Sequence, residues 1–204
     1  MMLKDYSTKE ERHMKELVEA IREQGVGIGE DIVKVDMFLN HRLDTGLVVK
    51  MGEAFAEAFK DDKPEIVLTV EASGIASAVT TAMALGNLPV VFAKKSKTRN
   101  ITGDVYEACV FSYTHGVENH VRVSKAYLPQ GSRVLIIDDF LANGAAAAGL
   151  CEIVEQSKGT VVGVGVCVEK KFQPGRAKLQ GMGVKVVALA SVVGIDHGKL
   201  IVED

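Results

Sequence analysis

Two adjacent carboxylates, Asp138 and Asp139, close an apolar run, Val134-Leu135-Ile136-Ile137, and small residues follow, Ala142-Asn143-Gly144-Ala145-Ala146. Consecutive apolar residues of this kind form a strand buried on both faces. The small-residue loop then opens a helix, where bare backbone N–H groups bind phosphate and small side chains let it come close. In open α/β sheets, ligands sit at the carboxyl ends of the strands. Two acids there accept hydrogen bonds from vicinal hydroxyls or face Mg²⁺. The spacing therefore fits a ribose-phosphate site, with phosphate on the backbone of 143–146 and hydroxyls on Asp138 and Asp139. Acids at a strand end also serve simply to cap a helix or solvate a loop.

Elsewhere the chemistry-bearing residues are sparser. Lys94, Lys95, Lys97 and Arg99 place four cations within six residues. Such a run is by default a solvated face. The three cysteines, Cys109, Cys151 and Cys167, lie far apart and form no C-x-x-C pair, so neither zinc nor a disulfide framework is indicated. His13, His41, His115, His120 and His197 share no metal spacing and read as surface or structural residues.

The elements that must position these residues alternate. Ser7 and Glu10 form a capping box, and Met14, Leu17, Val18 and Ile21 continue at helical spacing. Gly25, Gly27 and Gly29 end that helix, and a second follows Asp44, with Leu47, Val48, Met51, Phe55, Ala58 and Phe59 on one face. Short strands are predicted at 66–70, 89–93, 133–138, 160–168 and 184–190. Helices are predicted from Ile75 to Leu85 and from the small-residue loop to about Gln156, which makes βαβ units. The fold class is α/β, with a twisted, mostly parallel five-stranded sheet flanked by helices. Between 94 and 130 the rhythm differs: the basic run precedes two alternating stretches, 105–113 and 120–125, that read as an antiparallel hairpin grafted onto the core. An insertion of this length is often a functional lid.

Composition agrees. The chain has 204 residues, 47% hydrophobic and 25% charged, which suits one globular domain. A net charge of -3 argues against general nucleic-acid binding, which needs a basic excess. No apolar run is long enough to span a membrane, and the first residues lack a signal peptide's apolar centre. The expected setting is cytoplasmic. Twenty glycines, no tryptophan and four prolines suit loops that meet a ligand with bare backbone.

The strand, the acid pair and the small loop together resemble the phosphoribosyl pyrophosphate (PRPP) signature of the type I phosphoribosyltransferases. The form Asp139-Phe140-Leu141-Ala142-Asn143-Gly144 is similar to the bacterial xanthine-specific branch, and other segments agree: Lys34 to His41, Glu71 to Ala76, Val91 to Lys95, and Glu169 to Arg176 with its Phe172-Gln173-Pro174-Gly175. The resemblance implies the type I fold over 1–204, with an N-terminal helix and hood over about 1–44 and a basic loop and flexible hairpin over 94–130. It implies displacement of pyrophosphate from PRPP by xanthine, giving xanthosine 5′-monophosphate, in a homodimer. Mg²⁺ is expected on the pyrophosphate and ribose oxygens, with no protein metal cage.

The implied roles follow residue by residue. Asp138 and Asp139 are the catalytic acids. Ala142, Asn143, Gly144, Ala145 and Ala146 cradle the 5′-phosphate. Glu71-Ala72-Ser73-Gly74 fits the pyrophosphate loop, with Ala72, Ser73 and Gly74 binding and a cis peptide near Ala72–Ser73, and Lys94 and Lys95 supply cations. Val33 and Asn40 belong to the hood over the purine, and Lys170 meets the 2-oxo group. Phe172 stacks on the base or packs in its loop. Tyr106 and Tyr113 meet ligand on lid closure or serve as packing. Another purine base, or a non-catalytic PRPP sensor, is the alternative.

Overall fold

A computed structural model describes residues 13–95, 103–112 and 117–204. The Ser7–Glu10 capping box, Lys97, Arg99, Tyr113 and His115 lie outside the described residues. The first described helix, α1 (Lys15–Gln24), begins after an extended Met14 and buries Leu17, Val18 and Ile21.

The glycines after α1 do more than end it. β1 (Val26–Ile28) and β2 (Ile32–Lys34) form a small antiparallel hairpin, with Gly27 opposite Val33. One π-helical turn, Asp36–Asn40, follows and buries Phe38 and Leu39. These pieces occupy the stretch where the hood is expected. Next comes α2 (Thr45–Phe59), capped where expected: Asp44 accepts a hydrogen bond from the Leu47 N–H at 3.1 Å.

The central sheet is built from β3 (Ile66–Val70), β4 (Val90–Ala93), β7 (Arg133–Leu141), β8 (Thr160–Lys170), β9 (Val186–Asp196) and β10 (Lys199–Val202). Its order is β10-β9-β8-β7-β3-β4. Five strands are parallel, and β10 adds an antiparallel sixth at the edge. The five-stranded expectation missed β10 because β9 runs on past Ala190 and turns at His197 and Gly198, which take φ of 45° and 81°.

Helices and a second hairpin cover the two faces. Leu135 and Ile137 join the core under α1, α2, α3 (Gly74–Ala84) and the hood. Val134 and Ile136 join the other core, under α4 (Ala145–Gln156), α5 (Gly175–Gly181) and the hairpin of β5 (Val105–Ser112) and β6 (Val117–Ser124). An unbroken apolar run is thus required, because successive side chains enter different cores.

The described part of the hairpin is anchored. Tyr106, Ala108, Val121 and Val123 are buried, so Tyr106 is a packing residue. Gln156 of α4 clamps the Glu107 backbone, and Glu107 takes a bidentate hydrogen bond from Arg122 at 2.6 and 3.0 Å. Cys151 and Cys167 are buried free thiols, pushed by burial up to about 12, and Cys109 is exposed and free.

Glycines in β8 make room for the aromatic rings of α2. A Cβ at Gly163 collides with the Phe59 ring, and one at Gly165 meets Ile137 Cδ1 at 2.7 Å and the Phe55 ring at 2.8 Å. Gly165→Ala is therefore expected to destabilise the fold by about 1–3 kcal/mol through overpacking. Thermal denaturation should show a melting temperature lower by several degrees, with KM values of the folded protein unchanged.

Candidate active site

β7 extends past its acids. Asp138 is in register with Val166 and Leu141 with Glu169, so the loop begins only at Ala142, three residues later than the strand predicted to end at 138. Asp138 is 5% exposed, and the Asp139 N–H donates to its Oδ1 at 3.0 Å. Burial first, and the Asp139 charge second, push the Asp138 carboxyl well above the ordinary carboxylate range, opposed in part by Lys95.

A cleft of about 220 Å³ opens beside the pair, lined by Glu71, Ala72, Ser73, Lys95, Asp138, Asp139, Phe140 and Ala146, with Val70 at its edge. The fold thus brings the acids, the expected pyrophosphate turn, one expected cation and the last residue of the phosphate loop to one cavity. A larger groove, about 510 Å³, lies beside Lys63, Pro64 and Leu85. It sits by the start of β3, away from the strand ends that carry the acids, and its size does not recommend it as the reaction site.

Glu71, the first residue of the expected pyrophosphate loop, organises the cationic side. The Lys95 N–H donates to Glu71 Oε1 at 2.8 Å, and Lys94 Nζ lies 3.3 Å from Oε2. Lys94 Nζ also stands 4.8 Å from the Phe92 ring centre, and its backbone pairs with Arg122 of β6. Lys94 is therefore beside the cleft rather than in its lining. The cis peptide is Glu71–Ala72, one residue earlier than expected. Ser73 occupies the N-cap position of α3 without a side-chain cap bond. Gly74 lies beneath the cleft, against Thr69 and Asp138.

In the loop expected to hold phosphate, Gly144 takes φ of 75°, a left-handed conformation that glycine adopts without strain, and α4 starts at the next residue. Asn143 Oδ1 accepts the Ala145 N–H at 2.9 Å.

The hood residues stand apart from the cleft lining. The Val33 side chain is buried in the core, while Asn40 is exposed at the end of the π-helical turn. Lys170 links hood and cleft. Its Nζ donates to the Asp31 carbonyl at 2.8 Å and lies 5.8 Å from the ring centre of Phe140, which lines the cleft. Burial lowers the pKa of this ammonium below the usual lysine value. Phe172 is 38% exposed, which leaves a face open beside the same loop. Phe140 was passed over at the sequence level, where its only signal was an aromatic ring between the acids and the small-residue loop.

A family model described as the phosphoribosyl transferase domain matches residues 43–194. The chain belongs to the phosphoribosyltransferase family. A xanthine phosphoribosyltransferase of Clostridioides difficile is 48% identical over 185 residues, covering 91% of this chain and 97% of its own. One from Latilactobacillus sakei is 44% identical over 191 residues, covering 94% and 97%. The structure of an adenine phosphoribosyltransferase from Rhodothermus marinus superposes with a TM-score of 0.70 at 22% identity, over 87% of this chain and 99% of that one. That last likeness bears on the fold alone, which is the type I phosphoribosyltransferase fold. No helix among the described residues is long and apolar enough to cross a membrane.

Proposed function

We propose that the protein transfers the 5-phosphoribosyl group of PRPP to N9 of xanthine, releasing pyrophosphate and forming xanthosine 5′-monophosphate for purine salvage. The N9–C1′ bond forms as the bond from C1′ to pyrophosphate breaks. The observation that carries this reading is the shared cleft: Asp138, Asp139, Ser73, Lys95 and Ala146 face one cavity, and Lys170 Nζ stands 5.8 Å from the ring centre of Phe140, which lines it. The curated relatives' names favour xanthine over other purines.

The roles divide along the cleft. Asp138 and Asp139 accept the ribose hydroxyls, and their charge favours the positive ribosyl centre that develops as pyrophosphate departs. Ala142, Asn143, Gly144, Ala145 and Ala146 bind the 5′-phosphate through backbone N–H groups. Ala72, Ser73 and Gly74, with Lys94 and Lys95, hold the pyrophosphate. Val33 and Asn40 cover the base, and Lys170 donates to its 2-oxo group.

Mg²⁺ is part of the proposal. Among the described residues no cluster of three or more His, Cys, Asp or Glu side chains could hold a metal ion. An ion held mainly by pyrophosphate and ribose oxygens would meet Asp138, Asp139 and Glu71 as the acids lining the cleft. When bound, the ion neutralises charge on the departing pyrophosphate. The same reading places the enzyme in the cytoplasm as a homodimer, for which Val49, Val79 and Met83, exposed apolar residues of α2 and α3, offer a surface.

The test is product formation from PRPP with xanthine, guanine, hypoxanthine, adenine and orotate in turn. Xanthine should give the highest kcat/KM; if no base reacts, the proposal fails. Lys170→Ala should raise KM for xanthine about 10–100-fold, the loss of a charged hydrogen bond. KM for PRPP should stay within about twofold, and equal effects on both would remove Lys170 from base recognition.

A further inference from the structure

The segment Glu169 to Arg176 contains residues that the proposed roles leave unused. Glu169 is 1% exposed, at the end of β8. Arg176 Nε and Nη2 donate to its two oxygens, each at 2.7 Å, and the Ser191 hydroxyl donates to Oε2 at 3.2 Å. His13 Nε2 lies 3.0 Å from Ser191 Oγ. A buried carboxylate is retained at such a position only when its partners satisfy it fully. The bidentate pair spans the turn that carries Lys170 and Phe172, so it closes that turn on itself.

The same turn is fastened to the phosphate loop. The Gly175 N–H donates to the Ala142 carbonyl at 3.0 Å. Gly144 and Gly175 meet backbone to backbone: a Cβ on Gly144 lies 3.0 Å from Gly175 Cα, and a Cβ on Gly175 lies 2.9 Å from the Gly144 nitrogen and collides with the Ala142 carbonyl. Behind this seam, Leu141 pairs with Glu169 in the sheet. The loop assigned to the 5′-phosphate and the turn assigned to the base therefore share one joint.

We propose that Glu169, Arg176 and Gly175 are positioning residues that hold the base turn and the phosphate loop as a single rigid unit, so that a nucleotide bridging both is bound better than its parts. This rests on the functional reading above. A ligand that touches only one loop gains nothing from the joint. One that touches both loops avoids the cost of ordering one against the other. Arg176→Lys keeps the charge but loses the planar fork. Glu169→Gln keeps the shape and weakens the pairing. Ser191→Ala removes the hydroxyl's bond to Glu169 together with its contact to His13 and leaves the backbone untouched.

Titration calorimetry with xanthosine 5′-monophosphate and with ribose 5-phosphate tests this. Arg176→Lys and Glu169→Gln should weaken the nucleotide about 10-fold while ribose 5-phosphate stays within about twofold, and Ser191→Ala should show the same split at about 2–3-fold. Gly175→Ala should match the first two if it folds, and the side-chain variants decide the matter if it does not. Equal weakening of both ligands, or none in either, overturns the joint. If the unmodified protein binds neither ligand, the functional reading itself fails.

Discussion

Asp138→Asn is expected to lower kcat/KM by about 100-fold or more while raising the melting temperature. The two effects share one cause. Asp138 is buried, and its folded-state pKa is raised by burial and by Asp139. The folded protein therefore holds this proton more tightly than the unfolded chain. Below the ordinary carboxylate pKa both states are protonated, and the group has no effect on stability. As pH rises toward the raised folded value, the unfolded chain ionises first, and the fold loses stability across that window. Asparagine is neutral throughout and still accepts the Asp139 N–H, so the variant escapes the loss. The difference in melting temperature, variant minus native, should be near zero around pH 3 and open as pH increases. A gap that is constant with pH, or of opposite sign, would show that Asp138 carries no such strain.

Activity runs the other way because the strain is the function. A carboxylate kept in a poorly solvated cleft has few competitors for its charge. A ribose hydroxyl and a positive reaction centre then meet it at close to full strength. Asparagine offers neither the charge nor a second strong acceptor. Asp139 is more exposed than Asp138, and Asp139→Asn should lower kcat/KM through the loss of its charged acceptor. Thermal scans across pH alongside steady-state rates for both variants separate these roles.

How far the sequence could be read follows from the same physics. β7 was legible because every residue of Val134 to Ile137 faces a core, and the helix after it because small residues follow the acids. The turn after β3 was legible for a similar reason, since β3 is buried at all five positions, while its pyrophosphate role came only by resemblance. The hood was placed only by resemblance. Its hairpin strands are three residues long, and its π-helical turn has no periodicity of its own, so its shape comes from packing rather than pattern. β10 was missed because four residues after a tight turn carry too little alternation to announce a strand. The lysine partners of Glu71 and the place of Phe140 in the cleft depend on which strands become neighbours. The β3–β4 pairing sets Glu71 against Lys94 and Lys95, and no local spacing encodes it.

Gly74→Ala is expected to damage stability and activity together. A Cβ there collides with Thr69 Oγ1 and lies 2.8 Å from Asp138 Oδ1 and 3.3 Å from Asp138 Cα. Neither neighbour yields easily. Thr69 is fully buried and β-branched, and Asp138 is held in the sheet. Overpacking should cost about 1–3 kcal/mol, and the displaced carboxylate should lower kcat/KM by about 100-fold. Thr69 Oγ1 is itself buried without a hydrogen-bond partner among the described residues. Removing that hydroxyl therefore sacrifices no bond, and Thr69→Ala leaves a small space beside Gly74. The double variant Thr69→Ala, Gly74→Ala places the new methyl in that space. Its melting temperature should exceed that of Gly74→Ala alone, a coupling that a double-mutant cycle reads directly. Its activity should remain low, because the second collision, with Asp138, is unrelieved. Recovery of both stability and activity would mean that Thr69 alone, and not the acid, dictates glycine at the start of α3.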